Sequence, residues 1–171
     1  MAFVVEDGTG KTDANSYASV AAADTYASER GVTAWAALTT GAKQTALIKA
    51  TDYLEATYQS AWKGYRNTST QALAWPRTDV IVDGFLLASN VVPATVVKAC
   101  IEMALKASSG TTLIEDTGRT ITREKVDVIE TEYSEYGPVS TQYVEVSRML
   151  SPYLNSASNG GAFAQVGIIR T

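Results

Sequence analysis

Histidine is absent from this chain and cysteine occurs once. Without histidine there is no Ser-His-Asp or Cys-His nucleophilic system and no His-containing metal site. The lone Cys100 forbids an internal disulfide, and its place on the apolar side of a predicted helix marks it as an inert core thiol. No apolar run approaches the ~20 residues of a membrane span, and the N-terminus lacks the basic and apolar regions of a signal peptide. Fourteen Lys and Arg stand against eighteen Asp and Glu, for a net charge of −4. They nowhere gather into a basic stripe that would track a nucleic-acid backbone, so DNA affinity is a poor first expectation. Asp52 and Glu55 stand three apart on a helix face with no third partner, which is too little for catalysis. No catalytic, metal or cofactor site is expected.

What is present is an ordinary apolar fraction, 46% of 171 residues, enough for one domain that buries roughly 70% of its unfolded surface. The organising stretch is Gln71-Ala-Leu-Ala-Trp-Pro-Arg77, between two predicted core helices at 42–58 and 93–106. Pro76 fixes its own φ and drives Trp75 out of the α region. Trp75 suits a core provided that its indole N–H finds a partner. Trp62, Tyr65 and Arg66 lie just upstream. Trp62, Tyr65, Trp75, Pro76 and Arg77 read together as anchors that pin a long loop over the helices, in preference to a ligand-stacking platform.

The order of elements follows from periodicity. Gly10-Lys11-Thr12 looks like the end of a phosphate-binding loop, but the motif's first glycine would fall at Val5, and Glu6 and Asp7 would repel phosphate; a turn is expected. Ser16 or Ser19 caps a helix at about 17–30 that Gly31 terminates. A short turn of helix carries Trp35. Thr39 or Thr40 caps the clearest helix, in which Ala46, Leu47, Ala50, Tyr53, Leu54, Thr57 and Tyr58 face inward and Lys49, Asp52 and Glu55 face water. Residues 80–85 suggest a strand and turn. Pro93 opens a helix to about 108, with Val96, Val97, Cys100, Ile101, Ala104 and Leu105 buried.

Residues 119–134 are β-branched and charged, the pattern of a long strand or a hairpin. Here Glu124, Asp127, Glu130, Glu132 and Glu135 form an acidic run, either a solvated face or the lining of a passage. A last helix covers about 141–153. Residues 155–171 follow as a separate C-terminal arm, a Ser/Asn/Gly link ending in Phe163, Val166, Ile168 and Ile169. Extended, these 17 residues reach roughly 55 Å, and an apolar tip on a polar link suits a partner protein. The expected fold is mainly α: a small helical bundle over 1–154 with a strand or hairpin at about 119–134, and an extended C-terminal arm.

Six segments, in order, resemble the head-to-tail connector (adaptor) proteins of tailed bacteriophages: Val4–Gly10, Ala14–Tyr17, Ala50–Leu54, Trp62–Arg66, Gln71–Arg77 and Arg123–Val126. Part of that group carries a label of similarity to a primosomal, DnaT-like single-stranded-DNA-binding protein. The resemblance implies a structural virion protein at the head-tail interface, present in the host cytoplasm during assembly. It implies a ring, usually of twelve, beneath the portal protein, extending the DNA channel and docking the next connector, stopper or tail protein. Such a subunit is no enzyme, needs no cofactor and has no membrane partner; DNA passes without specific binding, and acids at 124–135 would keep it from adhering. The alternative is a single-stranded-DNA-binding replication factor using Trp62, Lys63, Tyr65, Arg66, Trp75 and Arg77.

Overall fold

The computed structural model describes residues 2–114, 123–126, 129–132 and 143–155. Five α-helices, a closing 3-10 turn and three two-stranded antiparallel sheets make up these segments, so the mainly α expectation holds. Helix α1 (Val20–Glu29) starts at Ser19, whose side chain accepts from the Ala22 N–H, and stops before Gly31 at φ 67°. Ser16 does not cap it; its hydroxyl bonds the Ala18 carbonyl at 2.8 Å. After the single turn α2 (Thr33–Ala36), α3 (Thr40–Tyr58) is capped by Thr39. Helix α4 (Ala94–Ser108) follows Pro93, whose missing N–H costs nothing at a helix start.

Helices α3 and α4 form the central pair. Ala46, Leu47, Ala50, Tyr53, Leu54 and Tyr58 of α3 meet Val96, Ala99, Cys100, Ile101, Met103 and Ala104 of α4. Thr57, expected on the inward face of α3, is exposed; Thr51, which the apolar period does not include, is fully buried, its hydroxyl donating to the Leu47 carbonyl at 3.0 Å. Bonding back to its own helix lets a small polar side chain sit in an apolar face. Burial pushes the Cys100 thiol up to about 11, which suppresses the reactive thiolate.

Helix α5 (Val144–Leu150) and the 3-10 turn Ser151–Tyr153 complete the bundle. Val146 and Leu150 are buried, and the Tyr58 and Ser147 hydroxyls meet at 2.7 Å. Tyr26 of α1 donates to Glu102 of α4 at 2.6 Å.

The long loop between α3 and α4 carries four short strands. β1 (Tyr65–Arg66) pairs with β2 (Arg77–Thr78), and β3 (Ile81–Val82) pairs with β4 (Phe85–Leu86) across Asp83-Gly84. Both turn residues have positive φ, 51° and 84°, as a tight two-residue hairpin demands. Strands β5 (Arg123–Val126) and β6 (Ile129–Glu132) form the hairpin expected at 119–134. The arm residues Phe163, Val166, Ile168 and Ile169 lie outside the described residues.

Trp75 is completely buried, as its organising role requires. The expected partner for its indole N–H is not among the described residues, however. Neither the Trp62 nor the Trp75 Nε1 has an acceptor among the described residues. Ring packing carries these side chains instead. Trp62 and Trp75 meet edge to face at 5.6 Å, and Trp75 meets Tyr153 in the same way at 6.0 Å. Such contacts set positive ring edges on negative faces and add to the apolar burial. Trp75→Ala is expected to lower unfolding stability in denaturant by about 3–5 kcal/mol; a loss below ~1 kcal/mol would remove Trp75 from its central place.

Candidate functional site

The Gln71–Arg77 loop and its surroundings are where any aromatic-cationic binding surface would be built, and most side chains there have a structural task; Tyr65, expected as an anchor, is exposed instead. Gln71 is buried and donates through Nε2 to the carbonyls of Leu73 (2.8 Å) and Pro76 (3.0 Å), while its Oε1 accepts from the Thr68 N–H at 3.0 Å. Arg77, also buried, donates to the carbonyls of Lys63 (2.7 Å), Gly64 (2.7 Å) and Ala74 (3.2 Å). Desolvation lowers its pKa from the ordinary arginine value, but a guanidinium remains charged at any physiological pH. Arg66 donates to the carbonyls of Gln71 and Leu73. The Trp75–Pro76 peptide is cis. Gly64, at φ 67°, lies so close to the Thr78 carbonyl that no Cβ could fit.

Below this loop lies a carboxylate that the helical period assigned to water. Glu55 turns inward, accepting from the Tyr17 hydroxyl on one oxygen and from the Ala74 N–H at 3.0 Å on the other. Tyr17 is itself buried and its oxygen accepts from the Trp75 N–H at 3.2 Å. Burial raises the Glu55 pKa above the ordinary glutamate value, against the opposing pull of the two hydrogen bonds. Burial and the adjacent carboxylate likewise hold the Tyr17 phenol far above its usual range, so it stays a donor.

A second carboxylate explains the Gly8–Lys11 segment. The Glu6 side chain is buried and accepts from the N–H groups of Gly8 (2.9 Å), Gly10 (2.9 Å) and Lys11 (2.8 Å). A nest of backbone donors is present, as in a phosphate loop, but the chain's own anion fills it. The segment is a turn, as expected. Asp52 remains exposed, with desolvation raising its pKa, and is apart from this network.

The six residues proposed for strand binding are therefore not brought together as a surface. Trp62, Trp75 and Arg77 are core, whereas Arg66 is exposed on β1 beside Tyr65 while donating to the carbonyls of Gln71 and Leu73. Tyr65 is 70% exposed, and Lys63 donates to the carbonyls of Pro152 (2.7 Å) and Ile81 (3.4 Å). The exposed apolar residues instead include Ile81, Phe85 and Leu86 on the β3–β4 hairpin, at 55%, 76% and 69%. Periodicity missed them because a strand of two residues has none; the Asp-Gly turn was the available signal.

Of the acidic run, Asp127 and Glu135 lie outside the described residues. The register sets Glu132 across from Arg123 and Glu130 across from Lys125, with Glu124 across from Thr131.

Because its folded pKa is raised, Glu55 binds a proton more readily in the native than in the unfolded chain. Its contribution favours folding as pH falls, and is lost as pH rises from the unfolded value near 4.5 through the raised native value. Glu55→Gln removes that dependence. The stability of the wild type relative to Glu55→Gln should rise between pH 7 and pH 4.5 in denaturant titrations; a flat difference would contradict the burial assigned to this carboxyl.

Two comparisons return nothing: no curated protein and no solved structure matches the chain. A family model matches residues 1–171, and its description is "Putative DnaT-like ssDNA binding protein". By a match over its whole length, the chain belongs to this DnaT-like family.

Proposed function

We propose that the protein is a non-enzymatic assembly subunit, a head-to-tail adaptor that joins a ring beneath a phage portal and docks the next connector or tail component. The observation that carries this reading is the distribution of aromatic and cationic side chains. Trp62, Trp75 and Arg77 hold the interior together, while Ile81, Phe85 and Leu86 present an apolar hairpin to the outside. A single-strand groove needs the reverse arrangement, with stacked rings and cations open to the ligand. An apolar protrusion on a chain of net charge −4 suits contact with protein. The six segments that resemble connector proteins are what support this kind of assembly. In it, residues 155–171 would engage the portal or a neighbouring subunit through Phe163, Val166, Ile168 and Ile169. Acids among Glu124, Asp127, Glu130, Glu132 and Glu135 that face the channel would discourage DNA from adhering.

A second reading, single-stranded-DNA binding in replication, is favoured by the family description. Its remaining surface is the exposed pair Tyr65 and Arg66 of β1, beside Lys63.

The two readings separate in solution. The adaptor reading expects a ring-sized native mass when the purified protein is mixed with the portal protein of its own virus. It also expects weak binding of labelled single strands at low salt, where electrostatic attraction is strongest, with no response to Tyr65→Ser or Lys63→Glu. Tight strand binding that those substitutions abolish, with no assembly on a portal, would establish the replication reading instead.

A further inference from the structure

Where the end of α1 meets α2 and the start of α3, a cavity of about 350 Å³ opens at the surface. Ala27, Val32, Trp35 and Ala36 give it apolar walls, and Asp24 and Lys43 stand at one corner. The charges of that corner are paired to each other. Lys43 Nζ lies 2.9 Å from Asp24 Oδ1, which also accepts the Trp35 indole N–H at 2.7 Å. The site therefore offers no net charge to an ionic ligand, and its walls match an apolar side chain. A dry cavity of ~150 Å³ already holds a benzene ring, so this one takes a phenyl ring with an aliphatic chain beside it. An ammonium also carries three N–H donors. Elsewhere in this chain lysine gives such donors to backbone carbonyls, Lys63 to Pro152 and Lys11 to Val5.

The β3–β4 hairpin has the complementary form. Ile81 and Leu86 are cross-strand partners on one face, and Phe85, paired with Val82, belongs to the other. All three are exposed, so the hairpin projects from the body of the chain. At its tip, nothing beyond the turn lies within 4 Å of where a Cβ on Gly84 would stand. Knob and cavity cannot meet within one chain. Lys43 belongs to the start of α3, whereas the hairpin is tied to the segment beyond its end: Lys63 Nζ donates to the Ile81 carbonyl, and β3 packs against the Ser151–Tyr153 turn. Between Lys43 and Tyr58 the helix rises roughly 22 Å, far more than a hairpin with a two-residue turn can span. Two complementary features at opposite ends of one chain fit successive copies, head to tail.

We infer that the Ile81–Leu86 hairpin of one copy enters the α1–α2–α3 cavity of the next, with Phe85 against Ala27, Val32 and Ala36, Leu86 at the rim, and Lys43 donating to a carbonyl of the Asp83-Gly84 turn. The inference rests on the assembly reading and names the neighbouring copy as the partner of the hairpin. One such contact is small against the roughly 800 Å² per partner of a standard interface. It holds through repetition around a closed ring, where each copy is gripped on two sides.

Sedimentation of the full-length protein over a concentration series should show its mass rising past that of a dimer, because a head-to-tail contact leaves both ends open. Phe85→Ser with Leu86→Ser removes the knob, and Ala36→Trp fills the cavity. Both alter exposed positions, so unchanged denaturant midpoints serve as the folding control. Each variant alone should associate more weakly by about tenfold or more. An equal mixture of the two should regain a one-to-one pair, joining the intact hairpin of one to the open cavity of the other. Asp83→Cys mixed with Ser28→Cys should cross-link between the two proteins with a short thiol reagent and neither should do so alone, the native Cys100 being buried. Cross-linking of Asp83→Cys to itself, association that ignores the variants, or a wild type that stays monomeric with no mixed cross-link would overturn the inference. A ring on the portal protein that tolerates both variants would overturn this contact and leave the assembly reading standing. The mixed pair formed without any assembly on a portal would support this contact and remove the adaptor reading.

Discussion

Glu55 is the point through which three separate parts of the chain are joined. Its carboxylate holds the Tyr17 hydroxyl from the N-terminal segment and the Ala74 N–H from the loop, while belonging itself to α3. The Tyr17 oxygen then accepts the Trp75 N–H. A buried carboxylate is expensive unless its oxygens are hydrogen-bonded, and here both are. Remove it and the loop loses the backbone partner that sets Trp75 between Trp62 and Tyr153. The aromatic file continues through Tyr58 and Tyr53 to Tyr143, so the same constraint reaches α5. One acid thus links the N-terminal segment, the core helix, the loop and the closing turn.

Glu6 repeats the device on a smaller scale. Three N–H groups converge on its buried carboxylate. Gly8 also approaches the Asn90 carbonyl so closely that any side chain would collide with it. The N-terminal turn is thereby pressed against the far end of the loop before α4. Both carboxylates answer unsatisfied backbone donors in irregular chain, where no helix or sheet ladder is available to do so. The loop between α3 and α4 is long and carries only pairs of two-residue strands. Side chains therefore have to replace the missing ladder: Gln71, Arg66 and Arg77 bond to carbonyls, and Glu55 bonds to the Ala74 N–H.

What sequence reasoning could recover follows from this division. The helices were legible because three- and four-residue spacing, Ser19, Thr39, Gly31 and Pro93 are local signals of helix faces and ends. Trp75 was legible as core from its size. Glu55 was not, because a helical wheel treats every carboxylate as a water-facing residue, and its partners lie 38 and 19 positions away. The Glu6 nest was recognised only as a turn that repels phosphate, since sequence cannot show that the loop curls onto its own acid. The two buried indole N–H groups find no acceptor among the described residues, against a sound general rule, and a Trp–Trp–Tyr cluster assembled from three segments is not a local property. In the candidate site, the same residue types that suggest stacking on a strand also build aromatic cores. Only burial separates the two uses.

That separation bears on how the family description should be weighed. Tryptophan, tyrosine and arginine in a motif of this kind invite a nucleic-acid reading when they are seen as letters. Here the guanidinium of Arg77 has three backbone carbonyls as partners, and the two indoles lie in the interior. Exposing them to a strand would require taking apart the Gln71–Arg77 loop and the Glu55 network beneath it. Strand binding by this domain would thus have to depend on other residues, on a chain whose acids outnumber its bases. A charge-repelled backbone gains little from counterion release. A protein partner faces no such barrier, because apolar burial at Ile81, Phe85 and Leu86 is indifferent to net charge.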